Sequence, residues 1–117
     1  MTDDNDTALA VRGAMWCGWR WYAHGGSWDD AQGEGVTSNM RHPGDLTGLR
    51  HASALLLVAL LAKCRNEGIV YRLSTLGGAP QAAVMARGSS YYSERAPSDL
   101  LALLRALDAA GLLPEGE

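Results

Sequence analysis

Apolar positions recur with helical spacing in three parts of this chain and alternate in two others. From Asp45 to Gly68, the residues Leu46, Leu49, Ser53, Leu56, Leu57, Leu60 and Cys64 recur at three- and four-residue spacing, as on one face of an α-helix. Leu55, Val58 and Leu61 widen that face through the middle turns. This predicts a helix covered on several sides, with Leu56, Leu57, Leu60 and Leu61 at the centre of the fold. Asp45 can cap its start, Lys63 and Arg65 suit the negative end of its dipole, and Gly68 is a left-handed stop. Its uninterrupted apolar run, Ala54 to Ala62, is shorter than the about 20 residues a bilayer-spanning helix needs.

The stretch from Ala8 to His24 supports two readings. Ala8, Val11, Met15, Gly18, Trp19 and Tyr22 share a helical stripe, with Asp6 or Thr7 as cap. Alternation of Val11, Met15, Cys17, Trp19 and Trp21 with Arg12, Trp16, Arg20 and Tyr22 suits a strand, as do the aromatic rings. Gly13 and Gly18 each weaken a helix by about 1 kcal/mol. Capping and length favour the helix. Residues 25–44 hold five glycines, one proline and three acids and read as a long loop, with a short strand around Gly35–Met40 as an option. Ile69–Leu73 and Gln81–Arg87 read as two strands joined at Gly77-Gly78. Residues 88–96 read as a polar connector. Ser98 then caps a last helix, with Leu100, Leu103, Leu104 and Leu107 as its stripe and Gly111 as its end.

The expected fold is therefore α+β, a small single domain in the order α, long loop, α, β, β, α, with the central helix buried on a small antiparallel sheet. Residues 1–6 read as a disordered acidic start, 7–113 as the domain and 114–117 as a short tail. Two strands alone are marginal. Either the loop adds a third, or two chains pair their sheets, so a homodimer is expected.

Composition narrows the function classes. The chain has 117 residues and a net charge of −3, which argues against nucleic-acid binding because phosphate contacts need a basic face. Lys63 is the one lysine beside nine arginines, phenylalanine is absent, and alanine and glycine are abundant. That bias points to a GC-rich bacterial or phage genome. The acidic, polar N-terminus has no signal-peptide pattern, so a cytoplasmic protein is expected. Cys17 and Cys64 form no metal-type spacing and read as buried free thiols. His24, His42 and His51 are scattered, so no metal site and no cofactor are expected. His51 and Cys64, thirteen residues apart on one predicted helix, lie about 20 Å apart and cannot form a dyad within one chain.

The densest feature is aromatic: Trp16, Trp19, Trp21, Tyr22 and Trp28 fall within thirteen residues. Trp16, Trp19 and Tyr22 share the apolar stripe and are expected in the core. Trp21 lies off the stripe and Trp28 in a glycine-rich loop, which makes both candidate interface anchors. Asp29, Asp30 and Glu34 follow without the spacing of a calcium loop and read as a solvated acidic segment suited to a basic protein surface. Tyr91, Tyr92 and Arg95 are candidates to extend this surface. No catalytic residue is assigned. The expected function is a small acidic inhibitor or adaptor that occupies a partner protein's basic surface, in its most concrete form a phage-encoded inhibitor of a host or defence protein. Two alternatives stand beside it: an enzyme or ligand-binding domain using Tyr91, Tyr92, Glu94 and Arg95 with the loop acids, and a self-assembling structural component.

Overall fold

The computed structural model describes residues 4–37, 40–48, 50–76, 78–85 and 91–114. Among them, helix α1 (Asp4–Trp16) leads into strands β1 (Arg20–Tyr22) and β2 (Ser27–Asp29). A 3-10 turn (Pro43–Gly48) precedes α2 (Arg50–Asn66), followed by β3 (Val70–Leu76), β4 (Ala79–Met85), β5 (Tyr91–Arg95) and α3 (Asp99–Ala109). The strands form two antiparallel sheets, β1-β2 and β3-β4-β5. The domain is a small α+β fold, and no helix among the described residues is long and apolar enough to cross a membrane.

All three helices end with the same device. The residue after the glycine sends its N–H back five positions: Trp19 to Ala14, Ile69 to Cys64 and Leu112 to Leu107, at 2.9, 2.8 and 3.0 Å. Gly18, Gly68 and Gly111, at φ of 85°, 72° and 73°, make the reversal. Each following side chain, Trp19, Ile69 and Leu112, packs on the core, so each stop also aims the next segment inward. The first helix therefore stops at Trp16, and Trp21 and Tyr22 beyond it lie in a strand. Of the two readings of residues 8–24, the helix holds as far as Trp16, and the strand is confined to Arg20–Tyr22.

The buried centre is α3 rather than α2. Leu100, Ala102, Leu103, Leu104, Ala106 and Leu107 are all buried, and α3 lies against β4, β5 and α1. Ser98 Oγ caps it by accepting from Leu101 N. On α2 only Ala52, Leu56, Leu60 and Cys64 are buried, while Leu57 and Leu61 are half-buried and Val58 is 64% exposed. The expectation that α2 would be enclosed, with Leu57 and Leu61 in the core beside Leu56 and Leu60, is corrected. Apolar width along a helix does not create cover, and here only one side of α2 meets other elements. Its expected first turn is also separate: the 3-10 segment holds Leu46 in the core, and Ser53 Oγ donates to Leu46 O. Leu49 and the side chain of Asp45 lie outside the described residues.

Gly13 lets α1 approach α3, since a Cβ there would collide with Leu104 Cδ2. Arg12 strengthens the same junction, pairing with Asp108 at 2.7 Å and donating from Nε to Pro114 O at 2.7 Å. The third strand that a stable sheet requires comes from the connector, as β5. In register, Leu73 faces Ala82, and Ala82 faces Glu94. Ala82 and Val84 are fully buried, and α3 packs along β4. The opposite face stays open at Val70 and Met85, which pair in register and are 60% and 42% exposed. The returning strand starts at Ala79 instead of Gln81 and is described as far as Met85; its expected end at Arg87 lies outside the described residues.

Candidate functional site

The expected loop of residues 25–44 is tied down at several points. Its first part is β2, paired with β1 so that Arg20 faces Asp29, Trp21 faces Trp28 and Tyr22 faces Ser27. Farther along, Asp29 bridges Gly35, Val36 N donates to Trp28 O at 2.8 Å, and Met40 N donates to Gly26 O at 2.7 Å. A Cβ at Gly26 would collide with the backbone of Met40, so glycine permits this closure.

Trp28 is the pin of the hairpin. It is fully buried, its indole Nε1–H donates to Pro43 O at 3.0 Å, and its backbone N–H donates to Thr37 Oγ1 at 2.9 Å. Its ring lies 6.4 Å from that of Trp19 and 5.7 Å from that of Trp21, both tilted. Trp28 is therefore not an exposed anchor. Strand pairing, which helical periodicity cannot reveal, turns it inward and gives its polar edge a carbonyl partner. Tyr22 moves the other way, to 45% exposure, because β1 alternates and Tyr22 shares Arg20's outward side. Trp16 is half-buried under the Lys63 ammonium, 5.6 Å from the ring centre.

Between α1 and this hairpin lies an open, apolar cleft of about 490 Å³. Met15 from α1 and Trp21 and Tyr22 from β1 form its walls, Trp28 lies deeper, and Arg20 stands at the edge. Met15 is 50% exposed. On the hairpin's other side a second cleft of about 330 Å³ runs along the uncovered side of α2, lined by Leu55, Val58 and Lys63 and facing Asp30. Trp19 lines both.

The acids divide into different roles. Asp30 closes its own turn: Oδ1 accepts from Gln32 N and Glu34 N, both at 2.9 Å, while Asp30 N donates to Glu34 O at 2.8 Å. Glu34 is exposed, and Asp29 is half-buried beside it in the sheet. Among the described residues no three His, Cys, Asp or Glu side chains gather as a metal site would require.

Trp21, Trp28, Asp29, Asp30 and Glu34 are thus brought together on one hairpin and its turn. Arg95 is not among them: it is exposed on β5, in the other sheet, and its carbonyl accepts from Arg105. Glu94 and Arg95 line neither cleft. Tyr91 and Tyr92 pair with Met85 and Val84, and their side chains lie outside the described part of the structure. Met15, Arg20 and Tyr22 were not expected here, although the alternation Arg20-Trp21-Tyr22, read as a strand, would have exposed the outer two.

Burial holds both thiols in the protonated form. Burial first, then the neighbouring Cys64, pushes Cys17 up to about 12, partly offset by Lys63, and burial pushes Cys64 up to about 11. Both stay protonated at neutral pH. His51 is exposed at the opposite end of α2 from Cys64. No protein family, no curated protein and no solved structure matches the chain.

Proposed function

We propose that the protein is a binding module of the inhibitor or adaptor type, working in the cytoplasm by occupying the surface of another protein. One observation carries the reading: Met15 and Tyr22, 50% and 45% exposed, stand with Trp21 and Arg20 around an open apolar cleft. Exposed Met, Tyr, Trp and Arg are the residue types enriched where proteins bind one another. An inserted apolar side chain of the partner would be desolvated between α1 and β1, while Asp29, Asp30 and Glu34, outside that cleft at the far end of the hairpin and its turn, attract basic groups of the same partner. Trp28 contributes from beneath by holding the hairpin. With a net charge of −3 and a bacterial or phage composition, an inhibitor of a basic host or defence protein is the concrete form.

The cleft volume, about 490 Å³, also lies within the range of about 300–1,000 Å³ typical of small-molecule pockets, which favours a second reading as a site for an apolar ligand. The test uses exposed positions, because truncating the buried Trp28 would disturb the hairpin along with the surface. Immobilised wild type, Met15→Ala, Tyr22→Ala and Glu34→Gln are exposed to bacterial lysate over a salt series. Wild type retains a basic partner, the two apolar truncations lose it, and Glu34→Gln releases it at lower salt. The same partner held equally by all four proteins refutes the surface. No retention by wild type, together with a metabolite that raises its melting temperature, replaces the reading with the small-molecule one.

A further inference from the structure

We propose that two copies of this chain pair through β3, antiparallel and centred on Leu73, joining their three-stranded sheets into one. The inference concerns a surface apart from the hairpin cleft and does not rest on the reading given to that cleft.

The sheet order β3-β4-β5 leaves β3 with β4 on one side only. Its outward backbone groups have no hydrogen-bond partner among the described residues. Natural sheets usually protect such an edge with lysine, proline, a bulge or a very short strand. β3 has no lysine, proline or bulge, and over its seven residues, VYRLSTL, the exposed Arg72 is the one charged side chain. The other edge, β5, is shorter, carries Glu94 and Arg95 side by side, and packs against α3. Val70, 60% exposed at the start of β3, adds an apolar residue beside the open edge.

The occupant is a second copy because this edge can be made self-complementary. In an antiparallel pair, directly opposed residues both aim their N–H and C=O toward the partner or both away. A two-fold axis must therefore pass beside a residue, not between two. Centring on Arg72 would set like charges face to face. Centring on Leu73 pairs all seven positions, with Arg72 opposite the partner's Ser74, Tyr71 opposite the partner's Thr75 and Val70 opposite the partner's Leu76. A closed two-fold contact of this kind stops at two chains.

The register makes the test specific. In sedimentation equilibrium from micromolar to millimolar protein, wild type rises from the 12.5 kDa protomer toward twice that mass. Ser74→Glu sets two carboxylates opposite the two Arg72 side chains and tightens the dimer about tenfold; Ser74→Lys weakens it by a similar factor. Arg72→Glu combined with Ser74→Lys restores the wild-type affinity or better. Circular dichroism checks the fold of each variant. Should Ser74→Lys unfold, the tightening by Ser74→Glu and concentration-dependent amide protection confined to alternate β3 residues decide the matter. A wild type that stays at 12.5 kDa to millimolar concentration overturns the proposal. So does a dimer whose affinity ignores both charges at position 74.

Discussion

Replacing Trp28 with alanine separates a structural pin from a surface anchor. The side chain is fully buried, so truncation removes a whole indole from the interior; such changes cost about 3–5 kcal/mol. Pro43 O also loses the Nε1–H donor it accepts at 3.0 Å, adding about 1 kcal/mol. The sum, about 4–6 kcal/mol, approaches the whole stability of an ordinary domain, about 5–15 kcal/mol. At about 3–6 °C per kcal/mol for a chain of this length, the melting temperature should fall by more than about 12 °C. Trp28→Phe keeps most of the packing, loses the donor, and should cost about 1–2 kcal/mol. Tyr22→Ala, at a half-exposed position, should stay within about 1 kcal/mol. Urea and thermal unfolding followed by far-ultraviolet circular dichroism measure all three without relying on the removed fluorophore. A Trp28→Ala protein melting within about 3 °C of wild type would refute the assignment, and with it the account of how residues 25–44 are held.

Two further expectations follow from the packing. Gly13→Ala should lower the melting temperature: helix propensity alone would gain about 1 kcal/mol, but the new methyl meets fully buried Leu104, and overpacking costs about 1–3 kcal/mol; a higher melting temperature would show that α1 and α3 are not in contact there. For the thiols, Cys17 and Cys64 are raised in the folded protein to about 12 and about 11 from an ordinary 9.0, so the unfolded chain loses these protons first. Their contribution to stability is full below about pH 9 and is lost as pH rises through the folded values, and a Cys17→Ala, Cys64→Ala protein should show a shallower alkaline decline than wild type in parallel melts.

The parts of the fold legible in the sequence are those set by local chemistry. Ser98, Asp99 and Gly111 bound α3, Gly68 ends α2, and the β3–β4 reversal lies between Leu76 and Ala79, because caps and turns act through a few neighbouring atoms. Gly18 carried the same kind of signal as Gly68 but sits between apolar residues, where the periodic stripe hides it; taken as a stop, it yields β1 and the exposed Tyr22. What remained hidden depends on partners distant in the chain. Periodicity cannot say that one side of α2 would be left uncovered, that β5 would form from the hydroxyl-rich connector, or that Trp28 would find Trp21 across the hairpin and a carbonyl at Pro43. The acids at 29, 30 and 34 were visible as charge, but not that Asp30 spends its carboxylate on its own turn.

The three rings gathered at Trp28 have an optical consequence. Indoles at centroid separations of 5.7 and 6.4 Å, tilted by 53° and 57°, are close enough and far enough from parallel for their transition dipoles to couple. Coupled chromophores of this kind rotate polarised light with a paired positive and negative band that an isolated tryptophan does not show. The signal arises from the hairpin and its packing on Trp19, so it reports the closure of that region. Occupation of the adjacent cleft would shift the half-buried Trp21 ring at its wall, and the protein would register its own ligand without a label.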